Sequence, residues 1–333
     1  MRRPVGALAG SRLVATTICL SLPKLIRRHA AGGQSGDRSP HSKELNVDSI
    51  VHPVIYLNKV MLEATKARVA PVSSAMLYGR GVFTTVAIHN GRLFLWPDHW
   101  KRLKDHAERL KVDCTGANEP SVGEAVRKLV AVNQVRNGRA RVILLARSGR
   151  DVWKAKNEGN RKTDLLIMTG EAQKVSPAGM SLAVSPYRYN TFSPLVGIKS
   201  LNYLDQVLSW EEAQARDFDE AVMLNERGEI VSATMSNIFW VKDGTVHTPA
   251  LSTGAAAGVT RGAVIELAGK EFIPLIEGIY DLGDLTEADE VFLTSASLGV
   301  ALVTTFDFRR YSAATSKVST RLSSALKDLT SQS

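Results

Sequence analysis

A single lysine interrupts an otherwise uncharged run, Gly197-Ile198-Lys199-Ser200-Leu201-Asn202-Tyr203-Leu204. Ser193-Pro194-Leu195-Val196 precedes it and an amphipathic helical pattern follows. A lysine at the start of a helix and the edge of a core loses solvation, which lowers its pKa. Only a neutral amine attacks an aldehyde, so such a lysine suits Schiff-base chemistry. Lysines mostly face water, and it is the company this one keeps that favours the chemical reading.

Two small-residue turns are candidates for holding an anion. Gly254 to Gly258 leads through Val259-Thr260-Arg261 into a helix expected over Gly262–Leu267, and a helix N-terminus offers free N–H groups and a favourable dipole. Thr294-Ser295-Ala296-Ser297 follows the strand pattern Glu290-Val291-Phe292-Leu293, and its small hydroxyl residues suit phosphate oxygens. Arg102 follows His99 on an expected helix. Arg147 ends a strand pattern in Leu145-Ala146-Arg147-Ser148-Gly149-Arg150, where a guanidinium can grip a carboxylate through two N–H groups. An amine nucleophile, two phosphate-binding turns and arginines on a separate domain together suggest pyridoxal phosphate.

The elements that position these residues fall into two blocks. Residues 52–170 read as a smaller α+β domain with mostly antiparallel strands. Val54–Leu57 is a strand ending at the Asn58-Lys59 turn, and the glycine-punctuated stretch Ala75–Ile88 feeds a second. Asn90-Gly91 signals a hairpin with Arg92–Trp96 returning. A helix follows Pro97-Asp98, with Leu103, Ala107 and Leu110 on one face, and another spans Ser121–Val135. Arg139–Arg147 and Asp164–Met168 complete the strands. Residues 175–333 form the larger domain, which carries the lysine. Its helix is expected over Leu201–Arg216 with Leu204, Val207, Leu208 and Ala213 on the buried side. Ser236–Val241 and Thr245–Thr248 pair across Lys242-Asp243-Gly244.

Composition narrows the alternatives. A chain of 333 residues is long enough for two cores. Cys19 and Cys114 are its two cysteines, which excludes a disulfide framework, and its seven histidines form no metal-binding pair. The net charge is +9. Residues 1–50 hold eight Lys/Arg against three Asp/Glu, so over half of that excess sits in one short segment. The few aromatics do not interleave with basic residues, which argues against a nucleic-acid partner. A modest positive field suits a small anionic substrate. Leu13–Leu22 is too short to span a membrane as a helix. Residues 1–50 read as a disordered tail, with a targeting segment or an unused upstream start as alternatives.

From about Pro53 to Phe308 the chain resembles the class IV, fold-type IV, pyridoxal-phosphate enzymes. These include D-amino-acid and branched-chain aminotransferases and 4-amino-4-deoxychorismate lyase. The resemblance implies a two-domain, D-amino-acid-aminotransferase-like fold, a homodimer, a cytoplasmic location and a cofactor seated between the domains. It implies that Lys199, in GIKSLNYL, carries the cofactor and moves the proton. Arg102, in HWKRL, would bind the cofactor phosphate, as would Val259 and Thr260, in GVTR, and the turn at Ala296 and Ser297. Tyr203 would lie near the cofactor ring. Arg147 would bind a substrate carboxylate and Phe83 would flank the substrate. The family usually has a glutamate five residues before the asparagine of Ser236-Asn237-Ile238-Phe239, where it pairs with the ring nitrogen. Here that residue is Ser232, a weaker support for the electron sink. Gly81-Val82-Phe83-Thr84-Thr85 and Asp205-Gln206-Val207-Leu208 resemble the lyase's wording. The expected reaction is therefore the lyase's, with a D-amino-acid or branched-chain transaminase and a non-catalytic cofactor-binding relative as alternatives.

Overall fold

The computed structural model describes residues 51–147, 163–176, 178–312 and 316–332. The expectations for residues 1–50 lie outside the described residues, as do Ser148, Gly149 and Arg150 beside Arg147.

The first sheet has six strands in the order β2-β1-β6-β5-β3-β4, all antiparallel. They are β1 (Val54–Leu57), β2 (Val60–Glu63), β3 (Gly81–His89), β4 (Arg92–Leu93), β5 (Gly138–Ala146) and β6 (Thr163–Glu171). Helices α1 (Ser74–Tyr78), α2 (Trp96–Arg109) and α3 (Glu119–Val132) are interspersed. Alternation sorts the long strands: Val82, Val86 and Ile88 of β3 and Ala140, Val142 and Leu144 of β5 are buried in one core with Leu103, Val126 and Leu129 of the helices. The expected return strand Arg92–Trp96 stops at Leu93. Leu95 takes a left-handed φ of 52° and Trp96 starts α2, with Pro97 in the first turn where its missing N–H costs nothing.

The second sheet has nine strands, ordered β12-β11-β10-β13-β14-β7-β8-β9 with β15 paired to β14. They are β7 (Met180–Tyr189), β8 (Glu220–Asn225), β9 (Ile230–Ala233), β10 (Asn237–Lys242), β11 (Thr245–Pro249), β12 (Leu275–Gly278), β13 (Glu290–Ser295), β14 (Gly299–Phe306) and β15 (Arg309–Arg310). Helices α4 (Leu204–Ala215), α5 (Val259–Lys270), α6 (Leu282–Thr286) and α7 (Lys317–Gln332) complete this part. The central strands are buried on both faces: Ile238 and Trp240 pack in one cluster, Phe239 and Val241 in another with α5 and α7.

Two expected helices begin elsewhere. The helix after the lysine starts at Leu204, not Leu201, because Ser200 and Leu201 are held in an extended pairing with β3. Its apolar positions also differ from expectation: Ala213 is buried, but Leu204 is 64% and Leu208 41% exposed. The periodicity marks an apolar face without saying what covers it. Helix α5 starts at Val259 rather than Gly262, which brings its free N–H groups to Val259 and Thr260.

Glu290 ties α7 to the sheet. Its buried carboxylate accepts from the backbone N–H of Val318 at 3.0 Å and Ser319 at 2.8 Å, and from the Ser319 hydroxyl. Those donors are orphans of the helix start. Glu290→Ala strands them and is expected to lower stability by about 2–4 kcal/mol; Glu290→Gln, which keeps an acceptor, should lose less. Urea midpoints of the three proteins would check this.

Candidate active site

The lysine backbone is spliced onto β3. Phe83 N–H donates to the Lys199 carbonyl at 3.0 Å, and Leu201 N–H to the Gly81 carbonyl at 3.0 Å. The Lys199 N–H donates to His106 Nδ1 at 3.1 Å. That imidazole is neutral near pH 7: burial, then Arg102, Arg109 and Lys199, lower its pKa to about 4. Gly197, with φ of 70°, turns the chain into this pairing. The sequence stretch Gly81–Thr85 therefore acts partly through its backbone, by fixing where the lysine stands.

Lys199 Nζ donates to the Tyr203 hydroxyl at 3.1 Å and lies 5.1 Å and 4.8 Å from the Phe83 and Tyr203 ring centroids. The two rings meet edge to face at 5.3 Å. Burial lowers the amine to about 7, with Arg102 and Arg141 adding to the effect. Burial and then Glu220 push the Tyr203 phenol up to about 12. Lys199 is thus a half-neutral amine near pH 7 beside a hydroxyl that keeps its proton.

Arg102 projects from α2 into the same cavity. Its Nη2 donates to Thr84 Oγ1 at 2.9 Å and Nη1 to the Ala257 carbonyl at 3.3 Å, while Nε, buried, has no partner. Thr84 Oγ1 is 2.8 Å from His99 Nδ1. Burial, then Arg102, hold His99 well below the usual imidazole range, so it is neutral. Arg102 donates to the Thr84 hydroxyl, which shares a second hydrogen bond with the His99 ring.

Across the cavity, Gly258 caps α5 with no side-chain cap, leaving Val259 and Thr260 at its first turn. Asn237 braces this turn through Nδ2 to the Ala256 carbonyl at 2.9 Å. Thr294 Oγ1, buried nearby on β13, also lacks a partner. An orphaned guanidinium N–H, an orphaned hydroxyl and an uncapped helix N-terminus form the donor set that a phosphate requires. With a near-neutral lysine in the same cavity, these residues fit pyridoxal phosphate.

The other end of the cavity departs from the family pattern in structure as in sequence. Ser232 lies on β9 and lines the cavity. Glu229, just before that strand and not among the residues lining the cavity, is held by Arg227 at 2.7 Å and Asn225 at 2.7 Å. Among the described residues lining the cavity the sole carboxylate is Glu220. Its oxygens accept from the backbone N–H of Thr234 at 3.0 Å, from the Thr234 hydroxyl and from Met235 N–H at 3.3 Å. Burial raises it to about 7 against those bonds. Glu220 braces residues 234–236.

Of the residues expected from sequence, the cavity gathers Phe83, Arg102, Lys199, Tyr203, Ser232, Val259, Thr260, Ala296 and Ser297. Arg147 is elsewhere. The strand ends at Ala146, and Asp164 on β6 captures the Arg147 Nε at 2.9 Å beside a different cavity. The cavity instead holds Arg139 and Arg141, which the sequence reading passed over. Their signal was present: Arg139 and Arg141 alternate with Ala140 and Val142, which face the core, so both arginines share the opposite face.

Residues 81–306 match the family "Amino-transferase class IV". The chain is 31% identical over 256 residues to a Methanocaldococcus jannaschii protein named "Putative branched-chain-amino-acid aminotransferase", covering 77% of this chain and 88% of the relative. It is 30% identical over 248 residues to the aminodeoxychorismate lyase of Bacillus subtilis, covering 74% and 84%. The structure superimposes on the branched-chain aminotransferase of Thermoproteus uzoniensis with a TM-score of 0.78 at 26% identity, covering 84% of this chain and 96% of that one.

Proposed function

The chain belongs to the class IV amino-transferase family, whose members use pyridoxal phosphate, and on that premise we propose that it is a 4-amino-4-deoxychorismate lyase releasing 4-aminobenzoate and pyruvate. The observation that carries this reading is the neutral Ser232 in a cavity whose one carboxylate, Glu220, is committed to its own loop. A neutral group at the ring nitrogen weakens the electron sink. A reaction driven by formation of an aromatic ring tolerates that better than a reversible amino transfer does.

When bound, pyridoxal phosphate supplies an electron sink conjugated to the carbon that bears the substrate amine. Arg102, the N–H groups of Val259 and Thr260, and Thr294 would hold its phosphate; the turn at Ala296 and Ser297 would close that side. Lys199 Nζ would act as the general base that takes the proton from the amine-bearing carbon. The enolpyruvyl C–O bond breaks, the ring becomes aromatic, and Lys199 returns the proton to the departing three-carbon fragment, which becomes pyruvate. No other reactant is needed. Tyr203, 3.1 Å from Nζ, keeps the amine aimed into the cavity, and Phe83 walls it from water.

The enzyme works as a cytoplasmic homodimer, with the cavity at the seam between residues 52–170 and 175–333. Uncovered apolar residues support the dimer: Met76, Leu77 and Tyr78 of α1 and Leu204 and Leu208 of α4 are exposed. Asn202 Nδ2, donating to the Gly79 carbonyl at 3.0 Å, keeps the two patches adjacent.

The test is release of pyruvate and 4-aminobenzoate from 4-amino-4-deoxychorismate by cofactor-loaded protein with no oxo acid present. Catalytic release supports the lyase. Turnover that appears only with a 2-oxo acid and an amino-acid donor would replace it with a transaminase, the activity in the name of the M. jannaschii relative.

A further inference from the structure

Some of the described arginines are neutralised by acids and others are not. Arg147, Arg216, Arg227, Arg261 and Arg321 each hold a carboxylate, at 2.5–2.9 Å. Arg102, Arg139 and Arg141 have no carboxylate partner among the described residues, yet all three line one cavity together with Lys199. Unpaired guanidinium groups crowded in a partly desolvated space repel one another. Burial, then Arg139, lower the pKa of Arg141, as that repulsion requires. Such a concentration of charge is stable when an anionic ligand supplies what the protein withholds.

The phosphate accounts for Arg102, because Arg102 alone of the three reaches the α5 turn, through the Ala257 carbonyl. Arg139 and Arg141 remain. They stand two residues apart on β5, about 6.6 Å along the strand. Arg141 lies over the Phe83 ring with its guanidinium carbon 4.5 Å from the centroid, and its Nε donates to Thr85 Oγ1 at 3.4 Å. Arg139 Nη1 reaches only the Ser297 hydroxyl, at 3.4 Å. Both contacts are long and leave the fork-like N–H pairs of the two side chains available. One carboxylate is satisfied by one bidentate arginine. Two arginines at this spacing match two carboxylates on one substrate.

We propose that Arg139 is a specificity-determining residue that receives a second substrate carboxylate, with Arg141 receiving the first, so that the cavity selects amino compounds bearing two carboxylates over those bearing one. The inference rests on the reading above for the position of the phosphate. The proposed substrate carries two carboxylates, one on the ring and one on the enolpyruvyl group, and the inference assigns their recognition, and the exclusion of simple apolar or small amino acids, to β5 rather than to the strand-end Arg147.

The experiment measures binding rather than turnover. Isophthalate (benzene-1,3-dicarboxylate) and benzoate are titrated calorimetrically into cofactor-loaded wild type, Arg139→Gln and Arg139→Lys. Wild type is expected to bind isophthalate at least tenfold more tightly than benzoate. Arg139→Gln should lose most of that ratio through weaker isophthalate binding, with benzoate changed less than about twofold, and Arg139→Lys should recover part of it. Equal binding of the two probes by wild type overturns the proposal, and so does an equal loss of both in Arg139→Gln. Pyruvate release is not read in this experiment. A transaminase that still prefers isophthalate would uphold Arg139 and remove the lyase, and a lyase without the preference would do the reverse.

Discussion

Lys199→Met is expected to lose at least a thousandfold in turnover and, at the same time, to make the cofactor-free protein more stable at pH 7. The first effect follows from the proposed mechanism, in which the amine is both the attachment point of the cofactor and the general base. The second follows from its environment. Burial and two arginines lower the lysine from 10.5 to about 7 in the folded chain. Between those values the unfolded chain binds more protons than the folded one, so wild-type stability rises with pH across that window. Below pH 7 both states are protonated and the full penalty applies. Methionine has nearly the same length and no charge, so it removes a penalty on the order of a few kcal/mol at pH 7 and below. The gain should fade as pH approaches 10.5. Urea midpoints of the cofactor-free proteins at pH 7 and pH 10 are the measurement. A methionine variant no more stable than wild type at pH 7 would mean that the lysine is solvated and charged, and its assignment as nucleophile would fall.

Gly258→Ala is expected to weaken cofactor binding by about tenfold to a hundredfold while leaving the sheets intact. A Cβ at Gly258 would lie 2.1 Å from Asn237 Oδ1. Asn237 is buried and sits at the start of β10, paired to Thr294, so it has little room to retreat. Displacing its amide breaks the bond to the Ala256 carbonyl and takes that acceptor from the buried Asn237 N–H, a cost of about 1–3 kcal/mol. The turn shifts away from the first N–H groups of α5, which are the ones proposed to hold the phosphate. Equilibrium titration with pyridoxal phosphate, read by protein fluorescence, would measure the change. Gly262→Ala is the control, since a Cβ there meets nothing within 4 Å. If the two variants bind the cofactor alike, the turn is not the phosphate cradle.

Several parts of this site could be read from the sequence because they are local. The lysine stood out as a lone charge among uncharged neighbours. Asn90-Gly91 gave its hairpin directly, and both residues adopt the left-handed φ, 50° and 77°, that this turn demands. What sequence missed depends on partners far along the chain. Arg147 resembled a ligand-binding strand end until Asp164, on the neighbouring strand, took its charge. Arg139 and Arg141 were not singled out, because alternation separates two faces without saying which is wet. His106 gave no signal, since its role is one hydrogen bond to the Lys199 backbone 93 residues away. Leu204 and Leu208 carried a correct apolar pattern with the wrong cover, for a reason of the same kind.

The seam around Lys199 has a consequence for how the molecule comes apart. The cavity wall is drawn from β3, β5 and α2 on one side and from β9, α5 and the turn after β13 on the other. The described ties across it near the lysine are hydrogen bonds: two backbone bonds to β3, the His106 bond, Arg109 to the Val196 carbonyl, Asn202 to the Gly79 carbonyl, Arg139 to the Ser297 hydroxyl and Arg102 to the Ala257 carbonyl. A small molecule seated there would be gripped by both sides at once. It would act as a rivet as well as a reagent, adding cohesion in proportion to the logarithm of its concentration over its dissociation constant. Losing the cofactor would then loosen the joint between the sheets before either sheet itself gives way. The chain that surrenders its chemistry would also become the chain most readily cut and cleared.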